Sequence, residues 1–313
     1  MSDAGIRTLH GKDLAAVVRI WNRALIRNPL TVDRFVSLVL GDADYWPGDD
    51  SGFFVATRGD AVVGFLRAII RRVPNDRLGL EPEDGWIPYL AVDPAQQRTG
   101  LGSALLRAAQ AYFDRHGRRR VWVCGTTTSA PGSIVPGVDV DTQAPALALF
   151  EKHGFAIAQQ AFSMSREVVD VDVAAFERWA WETGPDVRIE ALTPGRVQDL
   201  FTFLAASLPG SWNLAARGKL QSGAWHEMLL ALAGDVVVGY CQWTGEHFGP
   251  FGVAPGSRHQ RIGAKLFTEA VRRIRAADGR TVWFNWADES AERFYDRFGL
   301  HVTRRFAVLL RQS

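Results

Sequence analysis

The sequence predicts an α/β protein with mixed sheets, built as two tandem copies of one domain. Three observations carry that expectation. The chain has 313 residues, more than one ordinary core takes. Four sequence blocks recur in the same order in its two halves. Within each half, apolar runs of strand length alternate with stretches of helical periodicity.

The blocks follow one another along the chain. "IRTLHGKDLAAVVRIW" opens the first half and "VRIEALTPGRVQDLFTFL" the second. "GDAVVGFLRA", from Gly59, matches "GDVVVGYCQW", from Gly234; each reads as a two-residue turn with a strand behind it. "VDPAQQRTGLGSALL", from Val92, matches "VAPGSRHQRIGAKLF", from Val253, and "ALALFEKHGFAI" matches "AERFYDRFGLHV". The first copy is predicted over residues 1–169, a partly helical connector over 170–186, and the second copy over 187–313. In the first copy the pattern gives a helix near residues 11–27, a hairpin at Asp60 and a strand ending at Val92. A helix near 100–116, a strand from Val121 and a helix near 146–153 follow. Residues 125–146, rich in Gly, Pro, Thr and Ser, read as a long loop that could cover a site.

Bulk composition excludes several classes. Apolar residues are 47% and charged residues 22%, with a formal net charge of +2. That charge is too small to argue for nucleic acid or an anionic membrane surface as partner, and the run at Arg118, Arg119 and Arg120 reads as a solvated helix end. No apolar stretch reaches the ~20 residues that span a bilayer, and the start has no signal-peptide pattern. Cys124 and Cys241 build neither a disulfide framework nor a CxxC metal site. The expected setting is the cytoplasm.

The chemistry concentrates after Val92. A helix start leaves N–H groups without intrahelical partners and carries partial positive charge, so an anion docks there if no side chain intrudes. Gly100 and Gly102 offer bare backbone, and Leu101, Ala104, Leu105, Ala108, Ala109, Tyr112 and Phe113 fall on one face of the helix behind them. The nucleotide-triphosphate loop lacks its GK[ST], and the dinucleotide fingerprint lacks its third glycine. What remains is Gln97-x-x-Gly100-x-Gly102 behind an apolar strand and "VDP".

Those residues, with the "LFEKHGF" block downstream, resemble the GCN5-related N-acetyltransferases in both copies. The resemblance implies two acyl-coenzyme A N-acyltransferase domains, each a central mixed sheet flanked by helices. It implies acetyl-coenzyme A as co-substrate, no metal, and a small-molecule or peptide amine as acceptor that attacks the thioester directly. Leu90, Ala91 and Val92 would give a strand edge to the pantetheine arm. Gln97, Arg98, Thr99, Gly100, Leu101, Gly102 and Ser103 would form the diphosphate loop, and Val253, Arg258 and Gly263 are their counterparts in the second copy. A backbone N–H would stabilise the oxyanion.

Each copy departs from the family at one point. Phe150 stands where the family has a tyrosine that protonates the leaving thiolate; Tyr112 or a water could substitute. The second copy keeps that tyrosine as Tyr295, but Arg261 replaces its first loop glycine. Arginine there either crowds the diphosphate or pairs with it. The first copy is therefore the favoured cofactor site, with the second a weaker site or a scaffold. For the base, Glu83 is the choice among Glu81, Glu83 and Asp84, with Glu246 and His247 at the matching place. Solvated loop charge is the competing reading of each. Cys124 reads as a buried apolar residue. Trp86, Trp122, Trp243, Trp283 and Trp286 read as core, though Trp86 and Trp286 could line an acceptor pocket. Asp139 or Asp141 could hold a cationic acceptor. The two defects leave a second class open, a non-catalytic acyl-coenzyme A sensor or partner-binding module.

Overall fold

A computed structural model describes residues 4–126, 129–182, 186–208 and 210–312. Thr127 and Thr128 of the predicted loop, and residues 183–185 of the predicted connector, lie outside that set. The chain runs β1 (Ala4–Thr8), α1 (Leu14–Ala24), α2 (Val32–Phe35) with a π-helical extension over Val36–Leu40, β2 (Phe53–Arg58), β3 (Ala61–Ile69) and β4 (Asp84–Val92). Next come α3 (Leu101–Arg115), β5 (Arg120–Val123), β6 (Val138–Asp139), α4 (Ala144–Lys152) and β7 (Ala156–Glu167). Then follow α5 (Val173–Glu182), β8 (Arg188–Ala191), α6 (Val197–Ser207), α7 (Trp212–Gln221), β9 (Met228–Ala233) and β10 (Val236–Thr244). The chain closes with β11 (His247–Val253), α8 (Ile262–Ala276), β12 (Thr281–Ala287), α9 (Glu289–Asp296) and β13 (His301–Gln312).

Two compact units result. The first holds Met1–Pro74, Gly79–Ala161 and Arg305–Ser313; the second holds Asn75–Leu78 and Phe162–Arg304. The far end of β13 thus belongs to the first unit, and the far end of β7 to the second.

In the first unit, β1, β2, β3 and β4 pair antiparallel in that order, and β4 pairs parallel with β5. Leu309 to Gln312 close the sheet by running antiparallel to β5. The β2–β3 turn is Gly59-Asp60, with Gly59 at φ 55, a conformation that glycine reaches without strain. The sheet is buried on both faces. On one lie Val17, Val18, Ile20 and Trp21 of α1 with Phe35, Phe53, Phe65 and Tyr89. On the other lie Leu101, Leu105, Leu106, Ala109, Tyr112 and Phe113 of α3, with Leu66, Ile87 and Leu309. This matches the predicted stripe on α3, with Leu106 added and Ala104 and Ala108 only half-buried.

The second unit repeats the plan. β8, β9, β10 and β11 pair antiparallel, β11 meets β12 in parallel, and Phe162 to Glu167 of β7 run antiparallel to β12. α8 occupies the place of α3, and it carries α5, the helical part of the connector, against it. The described part of the predicted loop is held to the sheet. Val138 and Asp139 pair with Ala307 and Phe306, and residues 136–139 are buried.

Phe306, Ala307, Val308 and Leu309 are each no more than 1% exposed, and burying a large apolar side chain is worth roughly 1.5–3 kcal/mol. A chain lacking residues 305–313 should therefore lose cooperative unfolding of its first unit. Differential scanning calorimetry checks this; an unchanged endotherm would refute the strand assignment.

Candidate functional site

The site in the first unit begins where two parallel strands part. β4 and β5 pair from Asp84↔Arg120 to Ile87↔Val123 and no further. Three local features end the ladder. Pro88 has no N–H to give. Opposite Arg67 and Ile69 of β3, β4 spends an extra residue between Trp86 and Tyr89, a bulge that bends the strand. Cys124, at φ 65, turns β5 aside after its N–H donates to the Ile87 carbonyl at 3.1 Å. β4 continues to Val92 paired only with β3. Leu90, Ala91 and Val92 therefore have no β5 partner.

Beyond Val92 the loop is built by its own side chains. Asp93 caps the short turn Pro94–Gln96 through the Ala95 N–H and pairs with Arg23 at 2.8 Å. Gln97 Nε2 donates back to the Val92 carbonyl at 3.1 Å, and Thr99 Oγ1 to the Gln96 carbonyl at 2.7 Å. Arg98 and Gly100 are left-handed, at φ 63 and 85. A side chain on Gly100 would meet nothing within 4 Å, so the space before the α3 N-terminus is open. Gly102 has another reason to be glycine: its Cβ would come within 2.8 Å of Leu149 Cδ2, so it lets α4 close on α3. Ser103 Oγ lies 2.9 Å from His153 Nε2. Burial holds that imidazole below its usual pKa, and Arg107, Lys152 and Arg311 push it further down. The same cations add positive potential at this helix end.

The structure separates Glu83 from these residues. It is exposed at the start of β4, the end opposite the parting strands. The neighbouring acids are engaged as well. Asp84 takes Arg120 at 2.6 Å and Trp122 Nε1 at 2.9 Å, while Glu81 takes Arg71 Nε and Ser129 Oγ, each at 2.7 Å. Asp139 and Asp141 both pair with Arg27, at 3.2 and 3.6 Å. Burial pushes the Cys124 thiol up to about 12, which keeps it unionised. Trp86 is core, with Arg71 over its ring. Phe150 is buried edge-on to Phe155.

The second unit keeps the backbone of the loop and changes its surroundings. His259 and Arg261, both at φ 63, repeat the conformation of Arg98 and Gly100, and Arg258 Nε reaches the Val253 carbonyl at 3.3 Å as Gln97 reaches Val92. Arg261 turns to α5: its Nη1 donates to the Trp179 carbonyl at 3.2 Å and its guanidinium lies 5.0 Å from the Trp179 ring centre. β11 leaves β12 after His247↔Trp283. Phe251, on the strand edge, stacks on Phe294 at 5.6 Å and reaches 3.0 Å from where a Cβ on Gly263 would sit. Tyr295 is packed among Phe248, Phe251, Phe267, Phe284 and Phe294, and burial raises its phenol well above the usual pKa. Glu246 caps β12 through the Arg280 and Thr281 N–H groups and the Thr281 hydroxyl, and His247 lies against Trp283. The Trp286 indole N–H is buried without a hydrogen-bond partner among the described residues.

Sequence reading missed a buried polar group beside the parting strands. Asp42 and Asp44 follow the π-helical turn, and Arg67 and Arg71 come from the end of β3. Arg67 is 1% exposed; it donates to the Ser51 carbonyl and, at 3.2 Å, to the Asp44 carbonyl. The acids of "GDADYW" were the available signal, and no periodicity marked them.

The acetyltransferase (GNAT) family pattern matches residues 21–155 and 197–300. The chain belongs to the GNAT acetyltransferase family. It is a tandem, two-domain GNAT protein, and the family works with acetyl-coenzyme A. A mycothiol acetyltransferase of Amycolatopsis mediterranei is 33% identical over 145 residues, 46% of this chain and 43% of that protein; the match thus spans under half of the relative. A GNAT structure from Sphaerobacter thermophilus covers 99% of this chain and 95% of its own, with a TM-score of 0.70 and 19% identity. A tandem GNAT protein of the clavulanic acid biosynthesis pathway covers 99% and 98%, at 0.64 and 14%. A glucosamine N-acetyltransferase region of a fungal multi-domain β-N-acetylglucosaminidase gives 0.80 at 17% identity, covering 99% of this chain and 38% of that one. At these identities the structural likenesses concern the fold. Among the described residues this GNAT chain has no helix long and apolar enough to cross a membrane.

The packing role of Gly102 is testable. Gly102→Val should destabilise the GNAT chain by about 1–3 kcal/mol through the Leu149 clash, and Leu149→Ala should relieve much of that loss. Urea unfolding of the single and double variants reads it out; equal losses in both would refute the contact.

Proposed function

We propose that the chain is an N-acetyltransferase whose first copy binds acetyl-coenzyme A and passes the acetyl group directly to an amine of a small molecule or peptide. The reading is carried by one juxtaposition: an unpaired strand edge at residues 90–92 beside a helix N-terminus that the left-handed Gly100 leaves open. The diphosphate rests on the N–H groups of residues 98–103, with the Arg98 charge beside it. The pantetheine arm hydrogen-bonds along residues 90–92. Its thioester then lies at the bulge around Pro88, where backbone N–H groups can take up the oxyanion.

The second copy is assigned a supporting role. Phe251 and Phe294 lie across the corresponding slot, and Trp179 of α5 holds Arg261 at the corresponding loop. With Phe150 in place of a tyrosine, the leaving thiolate of the first copy takes its proton from water. The same substitution supports a second reading, an acetyl-coenzyme A sensor without turnover. Glucosamine belongs among the acceptors to be tried, because a structural neighbour is named for it.

Isothermal titration with acetyl-coenzyme A should show one site per chain. Gly100→Glu should abolish it, by filling the loop and adding negative charge, whereas Arg261→Gly should leave it intact. Undiminished binding to Gly100→Glu would refute the assignment. Release of free thiol only when an amine is added separates the enzyme from the sensor.

A further inference from the structure

Asp42 is a half-buried carboxylate of the first unit with one oxygen that takes no hydrogen bond among the described residues. Oδ1 accepts the Asp44 N–H at 2.9 Å. Oδ2 has no hydrogen-bond partner among the described residues, while Asp44, Glu81, Asp84, Asp93 and Asp139 all have partners on their side chains. The residue is half-buried, so that oxygen is neither sealed in the core nor fully in solvent.

Its position follows from three contacts. Oδ2 lies 3.8 Å from the point where a side chain on Gly132 would begin, and that same point is 2.6 Å from Ile69 Cδ1. Ile69 is paired with Trp86, at one edge of the bulge in β4. The Gly132 carbonyl accepts a hydrogen bond from the hydroxyl of Tyr89, the residue on the other edge of that bulge. Asp42 therefore sits over the bulge, on the sheet face occupied by α1 and α2 and opposite α3. An acceptor amine approaching the thioester from that face would meet it.

The surroundings suit a proton acceptor. Burial raises the Asp42 carboxyl above its usual pKa; the Asp44 N–H bond lowers it, the Asp44 charge raises it, and Arg67 and Arg71 lower it. From β4 the Tyr89 phenol also faces it, itself raised well above the usual value by burial. Arg67 and Arg71 are tied elsewhere, to the Ser51 and Asp44 carbonyls and to Glu81 and Ser129 respectively. They fix the segment and leave Oδ2 available. A carboxylate whose basicity is raised and whose outward oxygen takes no hydrogen bond among the described residues is what general-base catalysis asks for.

We propose that Asp42 is the general base of the acetyl transfer, a role that rests on the reading of the first copy as the acetyl-coenzyme A site. As the amine nitrogen bonds to the thioester carbon, its acidity rises, and Asp42 Oδ2 takes its proton. The carbon–sulfur bond then breaks, coenzyme A departs as thiolate and gains a proton from water, and the amide remains on the acceptor. Asp42 returns its proton to solvent before the next turnover.

The test uses the full chain with acetyl-coenzyme A and a panel of amines comprising glucosamine, spermidine, glycinamide and a short peptide, with thiol release as the readout. For whichever amine turns over, Asp42→Asn should lower kcat by about 10²–10⁴-fold and leave the acetyl-coenzyme A Kd unchanged. It should also remove the acid limb of the kcat/KM profile, while Asp42→Glu recovers part of the rate and the limb. The exposed Asp49→Asn should match the wild type. Wild-type turnover that Asp42→Asn preserves, or an acid limb that survives in it, overturns this assignment alone. If the wild type releases thiol with none of the amines, the catalytic reading of the first copy falls and this role with it.

Discussion

The separation of β4 from β5 is the constraint on which the site depends. Two parallel strands that stayed paired to their ends would present no free peptide groups next to a helix start. Here a proline, one surplus residue and a left-handed cysteine end the pairing at Ile87↔Val123. The strand that continues is still held on its far side by β3, so its edge is exposed without being loose. An extended ligand can then add itself as a strand, with register set by the backbone. Everything else lies close to this opening: the loop after Val92, the first turn of α3, and the polar segment around Asp42.

The two copies show how a shared backbone can be turned to different ends. Both loops repeat the left-handed pair, one as Arg98 and Gly100, the other as His259 and Arg261. Arginine adopts that conformation at a modest cost, so losing the glycine has not reshaped the turn. What differs is what packs on it. The α3 start is half-exposed and rimmed by cations, whereas α8 lies under the connector helix, with Lys265 at 2% and Thr268 at 0% exposure. The sequence left open whether Arg261 would crowd an anion or pair with one. The structure gives that guanidinium a third use, against the carbonyl and ring of Trp179.

Much of the fold was legible because its signals are local. Apolar spacing marked α3, the Gly-Asp turns marked the hairpins, and the recurrence of whole blocks marked the duplication. The loop after Val92 was legible for the same reason: its residues are contiguous, and Asp93, Gln97 and Thr99 bond to backbone within it. The features that escaped depend on distant partners. The contact of Gly102 with Leu149 joins two helices far apart in sequence, so the glycine read as clearance for a ligand. Glu83 was chosen as a candidate base by its nearness along the chain, and the structure puts it at the end of β4 away from Leu90–Val92. Asp42 approaches the bulge from a segment more than forty positions upstream, through a chain reversal with no periodicity to announce it. Residues 125–146 read as a possible cover from composition, and Val138 and Asp139 within them pair with two residues of β13.

The strand that closes the first sheet has a consequence for biosynthesis. Residues 305–312 are made long after β5, the strand they flank. During translation β5 therefore emerges with an open edge, and it keeps that edge until residues 305–312 follow it out. Pairings that span so much sequence form late and slowly, and an unpartnered strand edge invites association with other chains in the interval. Holdase chaperones that engage nascent polypeptides would find their target on this protein there, at the outer side of β5.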